Sequence, residues 1–190
     1  DWRFEDRYPM SNTEEVWWEL GSSQLAAMGG GNTIRPDMTS GPIYETPPLE
    51  EALHFGATPR LHVNVNTASV GGQIYALMED CYEGTCIHIG HAIMDLRYHA
   101  GGSQEQSWTP IFEEITAVME FFPMDVEIDE GHTIRLTLRS SGEDYLPSAA
   151  STIVTVVDSG STLQLDVFDP ATREYYQTTL CTSDVCMSSS

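Results

Sequence analysis

The sequence has no lysine and few cationic residues of any kind. Its 190 residues include 29 acidic side chains against eight basic ones, all arginine, and the formal net charge is −21. Such a chain repels phosphate groups and offers no basic patch whose binding would release counterions, so neither nucleic acid nor an anionic membrane surface is an expected partner. We interpret the acidity as a solvating surface suited to a salty medium rather than as a dedicated cation-binding surface.

Long apolar runs are also missing, and the longest ones in the sequence are far too short to span a bilayer. The first residues, DWRFED, have neither the basic region nor the apolar core of a signal peptide, and there is no initiator methionine, so we expect a mature or excised piece of protein. Hydrophobic residues still make up 41% of the chain, which is enough for a packed core in one domain of this length.

Cysteine is scarce but regularly spaced. Cys81 and Cys86 form one pair, and Cys181 and Cys186 form a second pair with the same spacing. Because Gly84 could close a tight hairpin, we predict a local disulfide in each pair, which favours an extracytoplasmic or secreted setting and leaves a cytoplasmic one open. Free buried thiols, or one zinc site built from both pairs, are the alternatives that the spacing leaves open.

Helix signals are few, and the pattern along most of the chain is that of strands. Residues 14–27 are the best helical candidate, but glycine and serine interrupt them and residues 16–20 are equally typical of a strand. Residues 29–48 are rich in glycine and proline and predict an irregular loop. Apolar segments, most of them alternating with polar residues, follow at 61–65, 74–78, 94–98, 115–121, 124–128, 134–138, 153–157, 163–168 and 175–180.

This rhythm of short strands and turns, without β-α-β units, predicts an all-β sandwich or barrel. We expect one domain over residues 1–190, with an irregular strand and loop region at 1–58, the main sandwich strands at 59–180 and a tail at 181–190.

Catalytic signatures are missing from the sequence. It contains no G-x-S-x-G elbow, and the serine-containing segments 21–23 and 158–161 are better interpreted as turns. His88 and His91 are three residues apart, which on a regular strand would place them on opposite faces and prevent joint metal binding. The acidic run at 125–130 does not match a calcium loop. We therefore predict no catalytic residue, no metal and no cofactor in this chain.

Three aromatic residues are candidates for stacking on a sugar or for an interface, namely Trp17, Trp108 and Tyr82. Since neighbouring residues of a strand face opposite ways, at most one of Trp17 and Trp18 can lie in the core.

Several short blocks, in order along the chain, resemble one family. The most specific is residues 121–124 (FFPM) followed by 130–136 (EGHTIRL), a proline-containing strand and a glycine-histidine hairpin. It resembles the C-terminal, non-catalytic domain of X-Pro dipeptidyl-peptidases and cocaine-esterase-like acyl hydrolases, and the likeness runs from residue 2 to about residue 147. The two cysteine pairs and the lack of lysine depart from the family pattern. The motif positions singled out are Pro48, Leu49, Gly56, Pro123, Gly131, His132 and Arg135.

The resemblance implies a jelly-roll β-sandwich, similar to galactose-binding domains, that packs on an upstream α/β-hydrolase domain of the same polypeptide and helps to wall its substrate cleft. The catalytic triad would lie in that other domain, because no triad position maps onto this chain. Gly131 would permit a tight hairpin, and the His132 side chain would hydrogen-bond locally to hold it. The alternatives are a stand-alone carbohydrate-binding module and a structural domain that mediates oligomerisation.

Overall fold

The computed structural model describes residues 13–36, 41–99, 109–142, 145 and 152–168. Within these residues the chain forms eleven strands and a single 3₁₀ turn at Leu96–Tyr98. The strands are β1 (Thr13–Glu19), β2 (Ala26–Gly29), β3 (Thr33–Ile34), β4 (Ile43–Glu45), β5 (Leu53–Thr67), β6 (Gln73–Tyr82), β7 (Thr85–Asp95), β8 (Glu114–Glu120), β9 (Met124–Ile128), β10 (Thr133–Arg139) and β11 (Val154–Phe168).

The strands form two antiparallel sheets. The first sheet has the order β1-β11-β5-β8, with β3 paired to β11 and β9 paired to β5. The second sheet has the order β2-β4-β10-β6-β7. The predicted all-β sandwich is therefore confirmed, whereas the closer likeness to galactose-binding domains stays a prediction. Within the described ranges, no helix has the length and apolar character needed to span a bilayer.

The period-two alternation decides which side chains fill the space between the sheets. In β8 the apolar residues Ile115, Ala117 and Met119 are buried, while Thr116 and Val118 between them are exposed. The same alternation buries the apolar residues of β10, and one cluster of buried side chains joins the two inner faces. Burying a large apolar side chain stabilises the fold by about 1.5–3 kcal/mol relative to leaving it in water, so this alternation is the main source of stability.

Two segments of the N-terminal region differ from expectation. The helical alternative for residues 14–27 is wrong, because β1 and β2 occupy most of this stretch. The predicted irregular loop at 29–48 contains β3 and β4. Tyr44 explains the second difference, since its ring is buried in the core and its hydroxyl donates to Asp158 Oδ1 (2.6 Å) on the opposite sheet. The expected boundary at residue 59 falls inside β5.

Two other predicted strand ends are corrected. The segment 94–98 does not end as a strand, because Asp95 Oδ1 accepts a hydrogen bond from the backbone N–H of Arg97 (3.0 Å) and begins the 3₁₀ turn. The predicted strands 153–157 and 163–168 are one strand, β11, interrupted by a bulge at 158–161. Ser161 stabilises this bulge by accepting from the Asn64 backbone N–H (2.8 Å). The predicted strand at 175–180 lies outside the described residues.

Candidate interface at the hairpin end of the sandwich

One end of the sandwich brings together several of the motif residues. We call it the hairpin end, defined by the β6–β7 turn and by the starts of β5 and β10. There the segment after β4 lies alongside the turn before β10. Leu49 N–H donates to the His132 carbonyl (2.9 Å), and Gly131 N–H donates to the Leu49 carbonyl (2.9 Å). The Pro48-Leu49 and Gly131-His132 motifs, far apart in sequence, are therefore adjacent in the fold.

The β6–β7 hairpin is closed by a two-residue turn and a disulfide. Glu83 and Gly84 have φ values of +48° and +82°, the left-handed geometry that joins two antiparallel strands most directly. Cys81 and Cys86 lie opposite each other and form a disulfide across the strands. The local disulfide is confirmed for this pair, so the zinc and free-thiol alternatives are wrong for it. Cys181 and Cys186 lie outside the described residues.

His132 ties its turn to the neighbouring strand. Its Nδ1 is 2.7 Å from Asp80 Oδ1 in β6, and its ring stacks on Tyr82 with ring centres 4.5 Å apart. The sequence predicted a local hydrogen bond that holds the hairpin of His132, but the side chain bonds instead to a neighbouring strand. The turn itself is held by the backbone, where His132 N–H donates to the Asp129 carbonyl (3.2 Å) and Gly131 adopts a φ of +82°.

Two open clefts flank this backbone contact. Tyr82 and Ile87 are large apolar side chains that remain 49% and 67% exposed, and both line the first cleft. Clefts edged by exposed aromatic and aliphatic groups on a rigid frame are typical of protein interfaces. The first cleft, about 330 Å³, is lined by Asp80, Tyr82, Glu83, Thr85, Ile87 and His132. The second, about 460 Å³, is lined by Trp18, Gln24, Thr46, Pro47, Pro48, Leu49 and Glu50.

A buried histidine lies at the same end. His54 is only 5% exposed, its Nε2 is 2.6 Å from Asp125 Oδ1, and its ring packs against Phe168 at 4.3 Å. Asp125 is paired in register with Gly56, which itself lies at a register shift of β5 opposite Asp166. These contacts connect β5, β9 and β11, so the His54–Asp125 pair helps to hold the three strands together.

The remaining motif residues lie away from the clefts. Arg135 is in β10 on the outer face of the second sheet, where its Nε donates to Glu45 Oε2 (2.8 Å). Thr133 donates to the other oxygen of the same carboxylate (2.6 Å), so one glutamate joins β4 to β10. Pro123 lies in the short connection between β8 and β9.

The tryptophans are separated by the two faces of β1, as predicted. Trp18 is half-buried and packs against the core, whereas Trp17 is 46% exposed on the outer face of the first sheet. The Trp17 ring lies 5.1 Å from that of His62, and its Nε1 donates to Glu15 Oε1 (2.7 Å). Trp17 lines neither cleft. Trp108 lies outside the described residues.

The expected separation of His88 and His91 is wrong. In the β6–β7 register Met78 pairs with Gly90 and Glu79 pairs with His88, which leaves Ile89 without a partner. A bulge of one residue shifts the alternation of side chains, so the two histidines share the outer face. His91 Nδ1 lies 3.3 Å from His88 Nε2. Within the part of the chain that the structure describes, no three histidine, cysteine or acidic side chains are grouped as metal ligands.

Among solved structures, three hydrolase chains share this fold. A CocE/NonD family hydrolase from Staphylococcus aureus has a TM-score of 0.70 at 10% identity, over 87% of this chain and 38% of that one. An aminopeptidase from the marine sediment archaeon Thaumarchaeota archaeon has a TM-score of 0.61 at 11% identity, over 83% and 33%. An α-amino acid ester hydrolase has a TM-score of 0.58 at 14% identity, over 85% and 33%.

This chain therefore spans only about a third of the length of those enzymes. At these identities the likeness shows the fold alone. No curated protein sequence matches the chain. The profile of the X-Pro dipeptidyl-peptidase C-terminal non-catalytic domain, however, matches residues 1–179. With nearly its whole length inside that profile, the chain belongs to the family of X-Pro dipeptidyl-peptidase C-terminal non-catalytic domains.

Proposed function

We propose that this chain is the non-catalytic accessory domain of a larger serine hydrolase. It packs on an α/β-hydrolase domain of the same polypeptide and forms part of the wall of its substrate cleft. The parent enzyme cleaves X-Pro peptides or small acyl esters and amides. The observation that carries the proposal is the family match over residues 1–179, supported by a fold shared with hydrolase chains about three times longer.

The chemistry of such an enzyme needs groups from the other domain. Acyl transfer to a serine requires a nucleophile next to a general base, and backbone amides that stabilise the oxyanion. The described histidines at the hairpin end are engaged otherwise, His54 with Asp125 and His132 with Asp80. In this proposal the sandwich contributes apolar contact area and a rigid edge, and no proton transfer.

The hairpin end is the surface that we assign to the contact. Its exposed apolar groups, Tyr82 and Ile87, lie on the β6–β7 hairpin, which the disulfide and the two-residue turn hold rigid. Little conformational entropy is therefore lost when another domain covers them. Strand β1 starts at Thr13 opposite Phe168, at the same end.

The test has two arms. The isolated chain should not hydrolyse a glycyl-prolyl anilide or a nitrophenyl ester, and turnover that serine modification abolishes would overturn the proposal. The gene region upstream of the codon for Asp1 should encode a G-x-S-x-G elbow followed by aspartate and histidine. Its absence would equally refute the assignment.

The contact surface is tested separately in the full polypeptide. Tyr82→Ala with Ile87→Ser should loosen the two domains and lower kcat/KM. The matched control is Phe112→Ser with Ile153→Ser, because these exposed apolar residues lie near Thr67, at the opposite end of the sandwich. Equal effects of both double variants would contradict the hairpin-end assignment.

A carbohydrate-binding role is the second candidate, and one observation favours it. Trp17 presents a half-exposed ring beside His62, and the Glu15 carboxylate between Trp17 and Gln164 accepts from both side chains, at 2.7 and 2.6 Å. An aromatic face next to paired polar groups can stack on a sugar ring. Calorimetric titration with a panel of oligosaccharides should then show binding that Trp17→Ala abolishes, and no binding across the panel would eliminate this candidate.

A further inference from the structure

The bulge in β7 creates a pair of imidazoles on the outer face of the second sheet. Ile89, the extra residue, turns inward and packs against the core. His88 and His91 consequently point outward together, with His91 Nδ1 3.3 Å from His88 Nε2. Strand β7 is an edge strand of its sheet, and His88 is exposed to solvent.

We propose that His88 and His91 chelate one divalent transition-metal ion, of the kind represented by Zn²⁺ or Ni²⁺, with water in the remaining positions. The metal would bind His88 Nε2 and His91 Nδ1. Metal–imidazole bonds of about 2.0–2.1 Å, at a tetrahedral angle, hold two nitrogens about 3.3 Å apart. The observed spacing is 3.3 Å, whereas N–H hydrogen bonds are most often shorter, about 2.9–3.0 Å.

The surroundings of His91 orient the required lone pair. Its Nε2 lies 3.0 Å from Tyr145 Oη. When Nε2–H donates to that hydroxyl, Nδ1 carries no proton and its lone pair faces His88, which is how hydrogen-bond partners of metal-ligating histidines select the tautomer. The ring is also held between Tyr75 (5.4 Å, stacked) and Phe122 (5.3 Å, edge-on), so one of the two ligands is already oriented.

The charge around the pair favours a cation. Glu79 is directly opposite His88 in the β6–β7 register and opposite Arg135 in the β6–β10 register. Arg135 also forms an ion pair with the Glu45 carboxylate, which partly offsets the positive charge that Arg135 places near Glu79. Opposite residues of an antiparallel pair have Cβ atoms about 4.5–5.5 Å apart and share one face of the sheet, so the negative charge of Glu79 favours a cation on the face that carries His88. The net charge of −21 adds a long-range attraction.

The test is calorimetric titration of the oxidised full chain with Ni²⁺ and with Zn²⁺ at neutral pH. We expect one ion per chain, a raised melting temperature with metal, and an affinity that falls about tenfold or more in His88→Asn and in His91→Asn. Glu79→Gln should weaken binding by a smaller factor. The matched control is His99→Asn, whose ring bonds the Leu96 carbonyl away from the pair, and it should bind as the unsubstituted chain does.

Three results would overturn the proposal. They are no saturable binding, binding unchanged in the His88→Asn/His91→Asn double variant, or binding lost only when Cys181 and Cys186 are replaced by serine. Histidine ring NMR signals of the unsubstituted chain give a readout independent of any variant's folding, because Ni²⁺ should broaden the His88 and His91 signals before those of His99. Broadening of His99 first would also refute the site.

Discussion

Replacing Cys81 and Cys86 together by serine should lower the stability of the sandwich by an amount that the hairpin itself sets. The bridge joins residues five positions apart, directly opposite in the β6–β7 ladder. Serine is nearly isosteric with cysteine, and the Glu83-Gly84 turn keeps the strands paired, so the folded state should change little. The main effect is on the unfolded chain, which gains the conformational freedom that the bridge had removed.

The size of the effect follows from the short loop. On the chain-entropy account, closing about six residues removes about 7 cal/mol/K from the unfolded chain, or about 2 kcal/mol at room temperature. For a domain of this length that corresponds to a melting temperature lower by about 4–8 °C. A larger loss would mean that the serines also disturb the native hairpin.

Thermal denaturation followed by circular dichroism measures the shift, and intact mass before and after reduction counts the bridges. The matched control is Cys181→Ser/Cys186→Ser, the same chemical change in the other pair. If Cys81→Ser/Cys86→Ser melts with the unsubstituted protein although the mass shows an intact Cys81–Cys86 bridge in the latter, the reasoning is wrong. Faster amide exchange at Tyr82 in the variant would localise the effect to the hairpin end.

Three further outcomes are expected from unfolding titrations in urea. Burial, together with the hydrogen bond to Asp158, raises the pKa of Tyr44 above its ordinary 10.0, so above that pH the unfolded chain loses the proton first and the free energy of unfolding falls. Tyr44→Phe should cost about 1 kcal/mol of stability at neutral pH and should flatten this alkaline loss. An equally steep alkaline loss in the variant would contradict the assignment. Burial and the nearby charge of Glu15 raise the pKa of Asp166, so its ionised form costs stability at neutral pH. Asp166→Asn should therefore stabilise the fold by under about 1 kcal/mol, and this gain should vanish on acidification below the ordinary pKa of 3.8. A gain independent of pH would argue against a charge effect. Phe112, 77% exposed with a φ of +60°, is strained, and Phe112→Asn should stabilise by about 0.5–1 kcal/mol, whereas a loss would show that the ring makes a contact of value.

The parts of the fold that were predictable are those with a local cause. Alternation in β8 and β10 identified the buried faces because each strand's side chains alternate whatever its partners are. The Cys81–Cys86 bridge was the favoured one of three alternatives, because Gly84 allows a hairpin that closes within a few residues, and the structure confirms it. The missing triad motif and the family blocks pointed to a non-catalytic domain, as the family match confirms.

The parts that were missed depend on pairing between distant segments. Strand β4 carries too few residues for a periodic signal, and it exists because Tyr44 reaches the core and Asp158. The clefts at the hairpin end arise from the backbone contact of Leu49 with His132, and no local pattern encodes such a contact.

The sequence by itself determined an all-β fold and the inner faces of its strands, and it favoured the local disulfide at Cys81 and Cys86, because alternation and turn geometry act over a few neighbouring residues. Only the tertiary structure decided that His88 and His91 share a face, because one unpaired residue in β7 inverts the alternation and its presence depends on the register with β6. That register is set by how the two sheets pack on each other, and the residues of one strand alone do not determine it.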